Sequence, residues 1–253
     1  MKQTVAIVGG GAAALLLAAF LDESKYQVTI YEKNKSVGRK LLVAGSGGFN
    51  LTHAEPMELF VERYTPATFL QPALSHFNNN LLRQWFVNIG IPTFIGSSKR
   101  VYPLKGIKPI EVLNKILSVL ERKKVSILTQ HTWMGWNNTR DLLFNQNVRI
   151  NADHTIFALG GASWKVTGSD GSWLPHFTAR QIPTQKFKAA NCAVAIKWPS
   201  AFLNQQEGKP LKNIAIQYGN KRQTGEVVIT QFGLEGNAIY ALSWPLQEAL
   251  QKG

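Results

Sequence analysis

The sequence predicts an α/β fold: a parallel sheet entered through a strand, glycine turn, helix and second strand, with a smaller β-rich module after it. Three observations carry that prediction. A short apolar run, Thr4-Val5-Ala6-Ile7-Val8, enters Gly9-Gly10-Gly11-Ala12-Ala13-Ala14. A second run, Gln27-Val28-Thr29-Ile30-Tyr31, ends at an acid, Glu32. From about Gln181 onward the texture changes to short strand-like runs punctuated by turn residues. Continuous apolar runs of this length suit strands buried on both faces, as in a parallel sheet.

The first turn fits the pattern G-x-G-x-x-A. In that pattern Gly9 permits the tight turn and Gly11 lets a backbone approach a pyrophosphate. Ala14 is small enough for the helix to pack closely on the strand. Ala12 and Ala13 open the helix, whose free N–H groups and positive dipole end point toward bound phosphate. Glu32 falls about twenty residues beyond the glycines, where a carboxylate accepts hydrogen bonds from an adenosine ribose. A carboxylate there favours a free 2′-hydroxyl, hence FAD or NAD before NADP. The competing reading is a βαβ unit that binds nothing.

Lys33 to Thr52 reads as a loop with backbone freedom, carrying Gly38-Arg39-Lys40 and then Gly45-Ser46-Gly47-Gly48-Phe49-Asn50. Such a loop can wrap a polyphosphate or a planar ring with its N–H groups turned inward; the alternative is a mobile surface loop. Helical signals run from Glu55 to Gly90, with Leu81 to Val87 at helical spacing and Gly90 as the stop. Ile91 to Phe94 and Arg100 to Pro103 read as short extended pieces. Lys108 to Arg122 reads as an amphipathic helix with Ile110, Val112, Leu113, Ile116, Leu117 and Leu120 on its apolar side. Three strands are expected at Ser126 to Thr129, Thr132 to Trp136 and Asp141 to Phe144, with Trp133 and Trp136 as packing residues. A further strand, Thr155 to Leu159, runs into Gly160-Gly161-Ala162-Ser163, a strand end suited to a tight turn beside a ligand. Thr167 to Ser172 is a second turn-rich segment.

These readings divide the chain into residues 1–180, a dinucleotide-binding domain, and residues 181–253, a β-rich domain. In the latter, strands are expected at Ala193 to Trp198, Ile214 to Tyr218 and Glu226 to Thr230, with Gly219-Asn220 as a hairpin turn. A last helix, Asn237 to Leu250, is expected to break or kink at Pro245.

Composition narrows the function classes. The chain has 253 residues, 45% of them apolar and 17% charged, as in ordinary globular proteins. Its single cysteine, Cys192, excludes an internal disulfide and a dithiol relay, and reads as a buried strand residue. Lys and Arg number 28 against 15 Asp and Glu, a formal net charge of +13. The cations are scattered and no basic helix or RNA-binding strand pattern accompanies them, so solubility and attraction of an anionic cofactor are favoured over nucleic-acid binding. No stretch is long and apolar enough to span a membrane, and the glycine turn argues against a signal peptide; a soluble cytoplasmic protein is expected. His53 reads as a solvated loop residue rather than a proton donor.

Taken together, the segments resemble the BaiN/YhiN-like NAD(P)/FAD-dependent oxidoreductases of bacteria. The matching pieces are Gly9 to Ala14, Tyr31-Glu32-Lys33, Gly38-Arg39-Lys40-Leu41-Leu42, Gly45 to Thr52, and Arg100-Val101-Tyr102-Pro103. Ala158 to Ser163 with Thr167 to Gly171, Gly225 to Thr230 and Phe232 to Tyr240 complete the set. The resemblance implies an FAD-binding Rossmann-like domain of the glutathione-reductase type with an inserted smaller β-rich domain. It implies a flavoprotein that moves hydride between a nicotinamide donor, NAD(P)H, and a small-molecule acceptor, with no nucleic-acid or membrane partner. Gly9, Gly11, Ala12, Ala13 and Ala14 would hold the pyrophosphate turn and Glu32, with Lys33 beside it, the ribose. Arg39 and Lys40 would sit near the phosphates, Ser46, Gly47 and Asn50 beside the flavin, and Gly160 and Gly161 over the dinucleotide. Related branches carry Arg-Cys before the asparagine where this chain has Gly48-Phe49, so the enone reduction known for one branch is not carried over. Family members also continue with a returning FAD-binding segment, so this chain is expected to be a truncated member; the alternative to a working enzyme is a non-catalytic dinucleotide-binding remnant.

Overall fold

The structure, a computed structural model, describes residues 1–43, 49–64 and 66–252. It divides into two compact units, Met1–Thr184 and Gln185–Gly253. In the first, β1 (Gln3–Val8) leads through α1 (Ala12–Phe20) to β2 (Tyr26–Tyr31). Then come α2 (Arg39–Val43), β3 (Thr52–His53), α3 (Met57–Val61), α4 (Ala67–His76), α5 (Asn79–Asn88), β4 (Thr93–Ile95) and β5 (Arg100–Pro103). The long helix α6 (Pro109–Arg122) returns the chain to β6 (Ser126–Leu128). A meander of β7 (Trp133–Trp136), β8 (Leu142–Phe144) and β9 (Arg149–Ile150) precedes β10 (His154–Phe157) and α7 (Leu174–Ala179).

The central sheet has the order β10-β1-β2-β6, and all of its pairings are parallel. This is the Rossmann-type α/β sheet that the sequence predicts. β1 is buried on both faces, which explains its unbroken apolar run. Val5 and Ile7 pack with Leu15 of α1 and Ile116 of α6, while Ala6 and Val8 pack with Trp133, Leu142 and Phe144 of the meander. Successive side chains of a strand point to opposite faces, so one strand joins two cores. Ile7, Leu15 and Ile30 are fully buried. At roughly 1.5–3 kcal/mol for each large aliphatic side chain, this double packing fixes the strand end that carries the glycines.

The second unit is an antiparallel sheet of order β11-β14-β13-β12, built from β11 (Val194–Ala195), β12 (Pro210–Tyr218), β13 (Lys221–Thr230) and β14 (Gly233–Glu235). Helices α8 (Ser200–Gln206), α9 (Asn237–Tyr240) and α10 (Ser243–Lys252) complete it. Val227, Ala238 and Ile239 form its core. The Gly219-Asn220 hairpin joins Tyr218 to its partner Lys221.

Several local expectations change. Arg39–Val43 is helical rather than loop. Ile110 is 44% exposed, and Val119 takes the core place expected of it, because the buried stripe of α6 runs through Val112, Leu113, Ile116, Val119 and Leu120. The last helix is interrupted at Ala241-Leu242, ahead of Pro245. Pro245 lies in the first turn of α10, where its missing N–H removes no helical bond. Cys192 is exposed and lies outside the strands, because β11 starts only at Val194. Ser46 and Gly47 lie outside the described residues. Among the described residues no helix is long and apolar enough to cross a membrane.

Candidate functional site

A cleft of about 760 Å³ opens at the carboxyl ends of β1, β2 and β10 within the first unit. This is where open α/β sheets bind ligands, and the volume falls within the roughly 300–1,000 Å³ usual for small-molecule sites. Gly9, Gly11, Ala12, Ala13, Glu32, Lys33, Arg39, Lys40, Asn50, Gly160 and Gly161 all line it. Ala14 does not; it is buried with Val5 and Ile7 under the turn.

The turn after β1 leaves no room for another residue at Gly9. Its φ is +104°, and a Cβ there would stand 2.4 Å from the Ala158 carbonyl oxygen. The Gly9 N–H donates to the Tyr31 carbonyl at 2.8 Å, so the turn is fastened to both neighbouring strands. At Gly11 the situation reverses: an added Cβ would meet nothing within 4 Å. Space therefore stands open over the start of α1, whose first-turn amides have no helical partner.

Glu32 is 8% exposed and organises the adjoining corner. Its Oε2 accepts the Gly10 N–H at 2.7 Å. Its Oε1 accepts the backbone N–H of Asn34 at 2.8 Å and the Asn34 side-chain amide at 2.6 Å. Asn34 Oδ1 in turn accepts from Arg39 Nη1 at 2.6 Å. The chain from Gly10 through Glu32 and Asn34 to Arg39 thus links the first turn to α2.

The three cations of the cleft have different partners. Lys33 Nζ lies 2.8 Å from Asp170 Oδ2. Burial alone would raise the Asp170 carboxyl, but the Lys33 ammonium and the Ser172 N–H and hydroxyl outweigh it and hold it at about 2. Arg39 donates to Asn34 and, at 3.0 Å, to the Val166 carbonyl. Lys40 donates to Ser163 Oγ at 2.5 Å. Among the described residues, Arg39 and Lys40 meet neutral acceptors and no carboxylate, so their charge remains available to an anion. Lys33 is neutralised and ties the Thr167–Ser172 segment to the end of β2.

Two groups of apolar side chains line the cleft. One is largely aromatic: Trp133, Phe157, Trp173, His176 and Phe177. Trp133 is boxed by Trp136, Phe157, His176 and Phe177 with ring centroids 4.7, 4.9, 5.0 and 5.8 Å away. Its buried indole N–H has no hydrogen-bond partner among the described residues. The other group is Leu16, Leu41, Phe49, Leu51, Leu82 and Phe86, which belong to or pack against the core that contains Leu15 and Ile116.

His53 is not a solvated loop residue. It belongs to β3, bonds through Nε2 to the Ser98 carbonyl at 3.0 Å, and lies 3.4 Å from the buried Glu55 carboxylate through Nδ1. It is absent from the cleft lining. Sequence reasoning missed Asn34, His131 and Asp170. Asn34 had one signal, an amide two residues past the strand-end acid. Asp170 had another, an acid inside a glycine-rich turn. His131 had none, because its place depends on the β6–β7 connection meeting the end of β2.

The sequence matches the HI0933-like protein Rossmann domain over residues 3–232. The chain belongs to this family. It is 26% identical over 257 residues to a 3-dehydro-bile acid delta(4,6)-reductase of Clostridium scindens, covering 98% of this chain and 62% of that relative. A ribosomal RNA dihydrouridine synthase of Haemophilus influenzae is 36% identical over 73 residues, 29% of this chain and 18% of that protein. The chain therefore spans less than two thirds of the length of these curated relatives. Among solved structures, Thermovibrio ammonificans THI4 is similar at TM-score 0.44 and 18% identity, over 66% of this chain and 61% of that one. A 3-ketosteroid-delta4-(5alpha)-dehydrogenase of Rhodococcus jostii RHA1 is similar at TM-score 0.40 and 12% identity, over 63% and 46% respectively. Among the described residues there is no cluster able to hold a metal ion.

Proposed function

We propose that the first unit binds FAD and that the protein is a flavin-dependent oxidoreductase moving hydride between a nicotinamide donor, NAD(P)H, and a small-molecule acceptor. The observation that carries this reading is the turn at Gly9 to Gly11, open above the start of α1 and locked from behind by Glu32. The residues fit the group. A diphosphate needs N–H donors and positive charge, which the first turn of α1, Arg39 and Lys40 supply. An adenosine ribose needs hydroxyl acceptors, which the Glu32 corner supplies. Two flat rings need apolar walls, and apolar side chains from two separate cores line the cleft.

On this reading Gly9, Gly11, Ala12 and Ala13 frame the diphosphate site, with Ala14 letting α1 approach the sheet. Glu32 orients the ribose; Lys33 holds the Thr167–Ser172 segment in place beside it. Gly160 and Gly161 cover the dinucleotide. On the family's motif Ser46, Gly47 and Asn50 would serve the flavin end; of these, Asn50 lines the cleft. When bound, FAD supplies the hydride chemistry, and the protein supplies binding, orientation and exclusion of water. The family and the reductase relative support this reading. The bile-acid acceptor is that relative's own, and the Gly48-Phe49 pair argues against carrying it over. Residues 1–180 would form the FAD domain and 181–253 a smaller inserted module, in a protein working in the cytoplasm.

A second reading, in which the acceptor is an RNA base, draws on the net charge of +13 and the similarity to the dihydrouridine synthase. A third is a binding protein without electron transfer. One series of experiments separates them. Protein purified with FAD should show a bound-flavin visible spectrum that bleaches with NADH or NADPH. Native protein that stays colourless and gives no heat with FAD or ADP refutes the proposal. Protein that binds ADP but never holds reducible flavin supports the third reading, and salt-sensitive RNA binding with NAD(P)H-reducible flavin supports the second.

A further inference from the structure

We propose that His131 determines specificity in this site: its Nε2 accepts a hydrogen bond from one hydroxyl of the ribose whose other hydroxyl bonds to Glu32. This rests on the reading that the cleft holds an adenine nucleotide.

The argument is an accounting of acceptors. An ionised carboxylate offers about four lone-pair sites. Three on Glu32 are taken, two at Oε1 by Asn34 and one at Oε2 by Gly10. One site remains, and a ribose diol brings two O–H donors. Placing both against Glu32 would leave one donor unmatched in a cleft, which is costly. A second acceptor is required, and the other side-chain acceptors named at that corner already serve a cation or a serine. Asn34 Oδ1 holds Arg39. Asp170 Oδ2 holds Lys33, and Asp170 Oδ1 holds the Ser172 N–H at 3.1 Å and its hydroxyl at 2.8 Å.

His131 is different. Its backbone N–H donates to the Glu32 carbonyl at 2.9 Å, which places it directly beside the strand-end acid. Its Nδ1 lies 2.7 Å from the Thr129 carbonyl. A carbonyl can only accept, so Nδ1 carries the proton, and in the neutral ring Nε2 is then a bare lone pair. Tyr31 and Phe144 meet the ring edge-on at centroid distances of 5.9 and 6.2 Å and fix its plane. The residue lines the cleft. An acceptor held in one tautomer, in the same cleft as a carboxylate with one free site, is complementary to a vicinal diol.

The test is calorimetric titration of the full chain with ADP, 2′-deoxy-ADP and 3′-deoxy-ADP. The wild-type protein should bind ADP about five- to tenfold tighter than either deoxy analogue. His131→Phe keeps a flat ring without the acceptor. It should weaken ADP by about the same factor and erase discrimination against one analogue, while the Glu32-dependent discrimination against the other persists. His131→Gln, which restores an acceptor, should recover part of the loss. In wild-type protein with ¹⁵N-labelled imidazoles, the His131 Nε2 resonance should move with ADP and stay put with the analogue lacking its hydroxyl; this needs no variant to fold. Unchanged discrimination in His131→Phe, or a motionless Nε2 resonance in protein that binds ADP, overturns the role of His131 and leaves the dinucleotide reading standing. Natively folded wild type that binds neither ADP nor FAD overturns both.

Discussion

The two glycine turns at the head of the central sheet look alike in sequence, yet the structure uses them differently. Gly9-Gly10 follows β1 and Gly160-Gly161 follows β10, the strand beside it. Gly9 is demanded twice, by a φ of +104° and by a neighbouring carbonyl 2.4 Å from any Cβ. Gly160 is demanded by its φ of +73° alone, since a Cβ there would rest 3.5 Å from Ser169 Oγ, an ordinary contact. The carboxylates behind them differ in the same way. Glu32 is buried behind the first turn, where three amide donors occupy all but one of its acceptor sites. Asp170, on the segment after the second turn, is 24% exposed and pairs with a lysine that is itself 32% exposed. One turn is built in; the other is latched on.

If that contrast is right, substitutions should fall in a fixed order. Gly9→Ala should be the most damaging. It adds backbone strain to a steric clash that can be relieved only by parting β1 from β10, a loss of about 3 kcal/mol or more. Thermal and urea melts would show it, and the protein should be mostly insoluble. A soluble variant melting like wild type would show that the turn relaxes easily and would erase the distinction.

Glu32→Ala should come next. It strands the buried Gly10 N–H and the Asn34 amides at a cost of about 1–3 kcal/mol. Because the remaining acceptor site disappears with it, ADP binding should fall more steeply than stability does. Equal melting temperatures for Glu32→Ala and wild type would mean that Glu32 serves a ligand only and does not brace the turn.

What could be read in advance follows the same contrast. The first turn was legible because its requirements are local: an apolar strand, small residues at fixed spacing and an acid at the next strand end each leave a mark in sequence. The parallel pairing of the strands could be anticipated for the same reason, but their order in the sheet left no local mark. The latch could not, because Lys33 and Asp170 are 137 positions apart and nothing in either neighbourhood names the other. His131 stayed hidden for a related reason: its tautomer is set by a carbonyl two residues away and its position by β2. Arg39–Val43 reads as loop in sequence because its glycine-rich flanks mask a short helix. Cys192 and Ile110 differ from expectation through the shift of a strand start and of a helix stripe, because apolar pattern fixes element boundaries only to within about two to four residues.

Gly160→Ala should have a moderate effect. An alanine there must hold a left-handed backbone, costing about 1 kcal/mol, with space enough for its methyl group. The melting temperature should drop by a few degrees at most, and the protein should remain soluble. A loss as large as that of Gly9→Ala would show that the second turn is as tightly built as the first.

The smallest effect is expected from Asp170→Asn, and its signature is a pH dependence. The folded-state carboxyl sits at about 2 against an ordinary 3.8, held down by Lys33 and Ser172 against the opposing effect of burial. A group with a depressed value binds protons more readily in the unfolded chain. Its contribution is therefore complete above about pH 4 and drains away as pH falls through about 2. Wild type should exceed Asp170→Asn in melting temperature by a constant margin from pH 7 down to pH 4, and the two curves should then converge toward pH 2. The margin itself should be small, under about 1 kcal/mol, because both partners reach solvent. Parallel curves through the whole range would show that the Lys33–Asp170 contact holds nothing in place. A margin approaching that of Glu32→Ala would instead show that the segment after Gly161 is anchored as firmly as the first turn.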